Sequence, residues 1–305
     1  MCTAIFENKH GAFFGRTLDL ECSFGEKVAR LPAGEVYPYI HMGKIECRYS
    51  LLGMSIAAEK QLLFYDALNE KGLSAAALNF PGFAVYHERE KEEIALASFE
   101  VIPYLLSVCA SVSEAVSILE RATITPDDFS ESFKSTPLHW MIADKERAIV
   151  LESVADGLKI YENPIGVMTN SPPFPYQTLR LCDYISLTPR QPENNVLPSQ
   201  NIKLYSRGLG AQGLPGDFSS SSRFIRAAFA KEHTLMPQCG DKTFSQKSRQ
   251  QRIFDILGTL SLPYGIARTE KGEPVYTVYT SCIDMEKCEY SFFTFEDREI
   301  KTFKF

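Results

Sequence analysis

The sequence predicts an α+β protein in which helices are layered on antiparallel sheets. Three observations lead to this fold class. Alternating apolar residues near both ends of the chain indicate strands, helical periodicity is confined to stretches between them, and no repeated βα alternation appears. No internal repeat or low-complexity linker interrupts the 305 residues, so we expect a single domain spanning residues 1–305.

The first half of the chain supplies the first strands and the first helical stretch. Residues 2–20 alternate around a glycine turn, which predicts a hairpin that begins at the first residues. Residues 74–80 are typical of a short buried strand. The pattern becomes helical over 95–122, where Ser111 and Glu114 have the spacing of a capping box.

In the second half, strands return before and after another helical region. A Pro/Asn-rich stretch over 189–203 indicates an exposed loop, a serine run at 219–222 predicts the start of one helix, and a further helix is predicted over 246–260. The predicted strands on either side cover 138–143, 147–154, 158–162, 275–283, 288–295 and 299–305.

The composition is that of a folded, mildly acidic protein. Apolar residues make up 45% of the chain and the net charge is −6, so the basic footprint of a nucleic-acid-binding protein is absent. There is no apolar run of about 18 residues and no basic, apolar leader. We therefore expect no nucleic-acid partner, no membrane segment and a cytoplasmic location.

The eight cysteines are scattered, without a CxxC pair, so we expect mostly free thiols. Neither His233 with Cys239 nor Cys282 with Cys288 has the spacing of a four-ligand zinc site. The sequence therefore predicts no structural metal.

Cys2 follows the initiator methionine directly, and this position has a chemical consequence. Met before a small side chain is commonly removed, which would place the Cys2 thiol beside its own α-amine. That amine has a pKa of about 7.7–8.0, so it can act as a base toward the thiol. Taken alone, a cysteine at this position is usually an ordinary second residue, and its context has to decide.

Arg16 and Asp19 lie on the returning strand of the predicted hairpin, where pairing could bring both beside Cys2. In that position Arg16 would stabilise the thiolate and Asp19 would orient the amine. Residues 16 and 19 face opposite sides of an ideal strand, so both reach the site only if the strand bends or ends there. The alternative is a surface salt bridge between them.

Together, Cys2, Arg16 and Asp19 resemble the N-terminal site of the choloylglycine hydrolases, which include bile salt hydrolases and penicillin V acylases. Further similar segments follow in order along nearly the whole chain. They are Asn69-Glu70-Lys71-Gly72-Leu73, Leu78-Asn79-Phe80-Pro81, Leu138-His139-Trp140-Met141, Gly166-Val167-Met168-Thr169-Asn170-Ser171-Pro172, Gly213-Leu214-Pro215-Gly216-Asp217-Phe218-Ser219-Ser220, Ser222-Arg223-Phe224 and Tyr279-Thr280-Ser281-Cys282.

The resemblance implies a four-layer αββα sandwich of N-terminal nucleophile hydrolase type, assembled as a homotetramer, that hydrolyses amides through an acyl-enzyme on Cys2. It implies oxyanion-hole donors at Asn79 and Asn170, and a further charge at Arg223 that holds the thiolate. It implies no cofactor. The alternatives are a structural hydrogen-bond network for Asn79, a turn for Asn170 and a surface position for Arg223.

His139 invites comparison with a Cys/His dyad. Because an α-amine is available as the base, we interpret it as a structural strand histidine.

Asn79 resembles the bile salt branch of the family, since penicillin V acylases commonly carry tyrosine there. The resemblance also implies an apolar steroid pocket and a loop arginine, Arg207, that favours glycine over taurine conjugates. The implied pocket residues are Leu18, Ala58, Phe129, Phe133 and Leu138.

The sequence thus predicts a hydrolase of conjugated bile salts, which are small-molecule substrates. The alternatives are a penicillin V acylase, an acylase for other N-acyl amides, and a bile-acid-binding homologue without catalysis. Retention of Met1 would favour the last alternative, because it blocks the α-amine.

Overall fold

The structure, a computed structural model, describes residues 1–59, 61–89, 94–235 and 246–305, with the backbone alone at 246–248. Cys239, one of the predicted free thiols, lies outside these ranges. The seven cysteines within them are all free.

Strands dominate the described chain. In order, they are β1 (Cys2–Glu7), β2 (Phe13–Leu20), β3 (Lys27–Leu31), β4 (Val36–Tyr39), β5 (Gly43–Glu46), β6 (Leu51–Ala58), β7 (Gln61–Asn69), β8 (Ser74–Asn79), β9 (Ile94–Ala97), β10 (Ala122–Thr125), β11 (Leu138–Ala143), β12 (Ala148–Val154), β13 (Gly157–Glu162), β14 (Val167–Met168), β15 (Ala267–Arg268), β16 (Pro274–Asp284), β17 (Glu289–Thr294) and β18 (Lys301–Lys304). The α-helices of the described ranges are α1 (Val101–Val108), α2 (Val112–Leu119), α3 (Phe174–Leu179), α4 (Ser220–His233) and α5 (Gln246–Gly258).

Two large antiparallel sheets form the centre of the molecule. The first sheet has the order β14-β1-β2-β16-β17-β18, with β15 paired to β16 beside it. The second sheet has the order β13-β12-β11-β8-β7-β6-β3. Small two-stranded sheets, β9 with β10 and β4 with β5, lie outside them.

Two clusters of buried apolar side chains hold the sheets against each other and against the helices. One cluster, which includes Phe14, Met141 and Phe224, fills the space between the two sheets and beneath α4 and α5. A second cluster, which includes Trp140 and Leu105, joins the other face of the second sheet to α1 and α2. Helix α5 packs on β2 and β16, and α1 packs on β7 and β8. The predicted α+β fold with four αββα layers is confirmed.

The predicted N-terminal hairpin is present as β1 and β2. Its turn contains Gly11, whose φ of +103° lies in the left-handed region that glycine adopts without strain. Cys2 pairs with Leu18, and Ala4 pairs with Arg16. Because side chains alternate along a strand, these four residues share one face of the hairpin.

The helical stretch predicted over 95–122 is shorter than expected. Its two ends form the parallel strands β9 and β10, and its middle is broken into α1 and α2 near Cys109. Ser111 caps α2 by accepting a hydrogen bond from the backbone N–H of Glu114 at 3.2 Å. The Glu114 carboxylate accepts from the N–H of Ala110 at 2.9 Å, so the return half of the predicted capping box is displaced by one residue.

The start of α4 is built from the serine run that the sequence singled out. Ser219 is the N-cap and accepts from the N–H of Ser222. Hydrogen bonds from Ser219 and Ser222 lower the pKa of Asp217 to about 2, so a carboxylate lies at this positive helix end. The remaining predicted elements begin and end within two residues of their observed bounds. No helix or strand interrupts the predicted loop at 189–203, all of which is described.

Gly53 on β6 provides a test of the contact between neighbouring strands of the second sheet. A Cβ at this position would lie 2.2 Å from the carbonyl oxygen of Asp66 and 2.4 Å from the Cβ of Ala67. We expect Gly53→Ala to lower the free energy of unfolding, measured by urea denaturation, by about 1–3 kcal/mol. Gly258→Ala is the matched control, since a Cβ there meets no atom within 4 Å. Equal stability of the two variants would contradict the β6–β7 packing.

Candidate active site

Cys2 occupies the first position of β1, is only 2% exposed and helps to line a cavity. Its backbone N–H donates to Oδ1 of Asn170 at 2.8 Å. Met1 extends past it, and the Met1 and Asp19 backbones exchange two hydrogen bonds of 2.6 and 2.9 Å. The Cys2 nitrogen, which becomes the α-amine once Met1 is removed, therefore already lies at a fixed place in the site.

Arg16 is completely buried on the same face of the hairpin as Cys2. Its Nη1 donates to the carbonyl oxygens of Tyr65 at 3.0 Å and Ala77 at 3.2 Å, both in the second sheet. Burial alone lowers the pKa of Arg16, but the surrounding Tyr279, Cys2 and Asp66 groups raise it overall. Arg16 therefore supplies a permanent positive charge between the two sheets.

Asp19 is also buried, but it faces the opposite side of β2. Its Oδ1 accepts from the hydroxyl of Thr277 at 2.6 Å. Burial raises the pKa of Asp19, while Arg223 and the chain's terminal amine act in the opposite direction. The pairing of β2 with β16 shifts register between Thr277 and Tyr279, and the extra residue belongs to β16; β2, the strand for which the sequence analysis required a bend, pairs with β1 without a shift.

The alternative of a surface salt bridge between Arg16 and Asp19 is wrong. Both residues are 0% exposed, and the ion pairs of the described residues include none between them. Arg16 lies on the face of the hairpin that Cys2 shares, and Asp19 lies on the other face of β2.

Arg223 reaches the site from α4 and is 0% exposed, so a surface position is excluded for it. Its Nη1 donates to the carbonyl oxygen of Cys2 and to Oγ1 of Thr3, the latter at 2.8 Å. Its Nη2 donates to Oδ1 of Asn170 at 2.7 Å. Burial lowers the pKa of Arg223, although Asp19 and Cys2 act against this effect.

Asn170 joins these groups through both ends of its amide. Its Oδ1 accepts from the Cys2 nitrogen and from Arg223, which fixes the orientation of the amide. Its Nδ2 donates to the backbone carbonyl of Asn79 at 2.7 Å. One of the two hydrogens of Nδ2, the donor predicted for an oxyanion, is therefore engaged by a backbone carbonyl.

Asn79, at the end of β8, is half-buried, and its side chain lines the cavity together with Cys2. No hydrogen bond from its side-chain amide is found among the described residues.

His139 takes no part in this group. Its Nε2 lies 2.8 Å from the carbonyl oxygen of Thr169, its Nδ1 lies 3.1 Å from Glu152, and its ring stacks on Phe80. Both ring nitrogens are thus engaged away from Cys2. His139 braces the chain segment immediately before Asn170.

The cavity that Cys2 lines has a volume of about 330 Å³ and mostly apolar walls. Four of the five predicted pocket residues line it, namely Leu18, Phe129, Phe133 and Leu138. Leu20, Glu21, Phe24, Ile56, Leu63, Phe64, Tyr65, Ala77, Ser98, Phe99, Ile102, Lys134, Thr136 and Trp140 complete the lining.

Two of the predicted substrate-binding residues are placed elsewhere. Ala58 is buried at the end of β6, beside the hairpin turn, and Ile56 two positions earlier reaches the cavity instead. Arg207 is exposed in the loop before α4 and does not line the cavity.

Sequence reasoning missed Asp66, which lies within hydrogen-bonding distance of three hydroxyls and 3.8 Å from Arg16. The sequence did offer a signal for Asp66, since it is the single carboxylate in the otherwise apolar stretch 62–68. A charge buried in such a strand requires polar partners, which would have pointed to a polar cluster around it.

The described residues contain no group of three or more His, Cys, Asp or Glu side chains arranged to hold a metal ion. None of the helices in the described ranges combines the length and apolarity needed to span a bilayer.

Comparisons with known proteins assign the chain to a family. Residues 2–305 match the family described as linear amide C–N hydrolases, choloylglycine hydrolase family. The chain therefore belongs to the choloylglycine hydrolase family, whose members are amidohydrolases of linear amides.

Curated relatives cover the whole chain. A bile salt hydrolase/transferase of Lactiplantibacillus plantarum is 39% identical over 302 residues, which is 99% of this chain and 91% of the relative. A conjugated bile acid hydrolase of Lactobacillus acidophilus is 31% identical over 100% of this chain and 96% of the relative.

Solved structures show the same N-terminal nucleophile hydrolase fold. A variant of the conjugated bile acid hydrolase from Clostridium perfringens superposes with a TM-score of 0.89 at 31% identity, covering 100% of this chain and 92% of that one. Penicillin V acylase from Agrobacterium tumefaciens shares the fold, with a TM-score of 0.76 at 20% identity over 100% of this chain and 86% of that one.

The Asn170 amide provides a test of the site geometry. In Asn170→Asp, a second carboxylate oxygen would face the Asn79 carbonyl where Nδ2 now donates, so two acceptors would be in contact. We expect stability to fall by about 1–3 kcal/mol and kcat for amide hydrolysis to fall at least about tenfold.

Asn69→Asp is the matched control, because Asn69 is also buried and its Nδ2 donates to the carbonyls of Leu106 and Cys109, on the far side of the second sheet. This variant should lose stability but keep kcat. Equal kcat losses in both variants would contradict a specific role for Asn170.

Proposed function

We propose that this protein hydrolyses the amide bond of conjugated bile salts through an acyl-enzyme on Cys2. The observation that carries the proposal is a buried cysteine at the second position, lining an apolar cavity, in a chain similar over 99% of its length to a bile salt hydrolase/transferase. The cavity volume of about 330 Å³ falls within the range of small-molecule sites. Its apolar walls suit the hydrocarbon face of a steroid.

The proposed reaction starts with removal of Met1, which turns the Cys2 nitrogen into an α-amine. Because Asn170 Oδ1 accepts one of its hydrogens, the amine lone pair is left to take the thiol proton. Sγ then adds to the substrate carbonyl carbon. As the C–N bond breaks, the proton passes from the α-amine to the leaving nitrogen. Water adds to the thioester, which releases the free acid and restores the thiol.

Each buried charge has a proposed role in these steps. Arg16 and Arg223 stabilise the thiolate, and Arg223 also holds the Cys2 carbonyl. Asp19 balances the ammonium form of the α-amine. We assign oxyanion donation to the side chain of Asn79, which faces the cavity, and positioning of the amine to Asn170.

The homotetramer and the cytoplasmic location stay predictions from the sequence. Preference for glycine over taurine conjugates is also a prediction.

The substrate class is tested by incubating the purified protein with glycocholate, taurocholate and penicillin V in parallel and quantifying the products. We expect release of glycine and taurine, abolished in Cys2→Ala and in protein whose mass shows retained Met1. Cleavage of penicillin V without cleavage of either bile salt would assign the protein to the acylase branch. No turnover of any substrate by protein with a verified N-terminal Cys2 would refute the proposal.

The glycine preference is tested by Arg207→Ala. If Arg207 pairs with the glycine carboxylate, the variant should lower kcat/KM for glycocholate about tenfold and leave that for taurocholate less affected. If the ratio of kcat/KM for glycocholate to kcat/KM for taurocholate does not change, Arg207 has no part in selectivity. Its position outside the cavity would explain that result.

A further inference from the structure

Asp66 on β7 is a buried carboxylate that bridges the two large sheets. Its Oδ1 accepts from the hydroxyl of Tyr279, and its Oδ2 accepts from Ser281 and Tyr290, each at 2.8 Å. The three donors belong to β16 and β17 of the first sheet, whereas Asp66 belongs to the second. Three converging hydroxyls on a carboxylate that is 0% exposed make its position rigid.

Asp66 also contacts Arg16, whose Nη1 lies 3.8 Å from Oδ1. The same Nη1 donates to the carbonyls of Tyr65 and Ala77. One edge of the guanidinium is therefore held by the second sheet through a carboxylate and two backbone oxygens.

The other edge of this guanidinium is different. Nη2 of Arg16 is buried and has no hydrogen-bond partner among the described residues. A buried donor without an acceptor costs free energy, which an acceptor formed beside it would recover. Cys2 lies on the same face of the hairpin, and a charge on Cys2 stabilises the charged form of Arg16. A thiolate on Cys2 would favour the charge of this guanidinium in the same way.

We propose that Asp66 is a positioning residue for Cys2: it fixes the side chain of Arg16 toward the thiol and, through its own negative charge, limits how strongly Arg16 favours the thiolate. This inference rests on the proposed function only in taking Cys2 as the nucleophile. Asp66 touches neither substrate nor Cys2 and acts through Arg16.

Other ionisable groups from several elements lie around Arg16, Asp66 and Cys2. They are Asp19 on β2, Tyr65 on β7, Tyr279 on β16, Tyr290 on β17, Arg223 on α4 and the terminal amine. Burial raises the pKa of Tyr279 and of Tyr290 well above the ordinary value, so both remain hydroxyl donors at neutral pH. Burial also raises the pKa of Asp66, while Arg16 and the hydroxyl donors favour its charged form.

The test is alkylation of Cys2 by iodoacetamide as a function of pH, followed by mass analysis of the N-terminal peptide in wild-type protein and in Asp66→Asn. Arg16 keeps its two carbonyl acceptors in the variant, but its charge is no longer offset. We expect the midpoint of the alkylation profile to move to lower pH by about one unit. A less basic thiolate is a weaker nucleophile, so kcat for glycocholate should fall about threefold with KM unchanged.

Glu7→Gln is the matched control, since Glu7 is another buried carboxylate, on the hairpin that carries Cys2, and pairs with Arg252 at 3.2 Å. It should cost stability without moving the Cys2 profile. If Asp66→Asn does not fold, Asp66→Ser removes the same charge while keeping a hydroxyl for Tyr279, and the same downward shift is expected.

An unmoved profile, an upward shift, or an equal shift in Glu7→Gln would overturn the assignment. Because alkylation requires no substrate, it decides this point even if no bile salt is hydrolysed. Failure of wild-type hydrolysis would count against the proposed function alone.

Discussion

The backbone nitrogen of Cys2 lies inside the molecule, and the rest of the site is arranged around the need to satisfy it there. A chain terminus is normally exposed because its polar groups require partners. Here β1 begins in the interior of the first sheet, between β14 and β2. Asn170 accepts from the Cys2 nitrogen, and Arg223 donates to the Cys2 carbonyl. Three elements distant in sequence thus meet at the second residue.

Burying charge at this point has a physical cost that the fold offsets mainly with backbone oxygens. Arg16 and Arg223 are both 0% exposed, and each donates to backbone carbonyls of its neighbours. Carbonyl oxygens accept the hydrogen bonds of a guanidinium and leave its charge uncompensated. A close carboxylate would neutralise that charge. The two positive charges are therefore retained near Cys2, and the carboxylate of Asp66, bound by three hydroxyls, offsets part of the charge of Arg16.

Local signals in the sequence were sufficient for much of the fold and for the Cys2 hairpin. The alternation over 2–20 and the serine run at 219–222 act over a few residues, so they could be interpreted without tertiary information. The stretch 95–122 was misjudged at its ends, because β9 and β10 are short strands that exist only by pairing with each other. Ala58 and Arg207 were placed by resemblance, and the position of a side chain relative to a cavity is not encoded locally.

The sequence by itself determined the hairpin that carries Cys2 and the family, because these depend on residue order and strand periodicity. Only the tertiary structure decided that Arg16 shares the face of Cys2 while Asp19 lies on the other face of β2, and that Asn170 donates to the Asn79 carbonyl. It also decided that the carboxylate of Asp66 lies 3.8 Å from Arg16. The physical reason is that these contacts join residues from separate strands and a helix, whose relative placement follows from packing the two sheets together rather than from any local pattern.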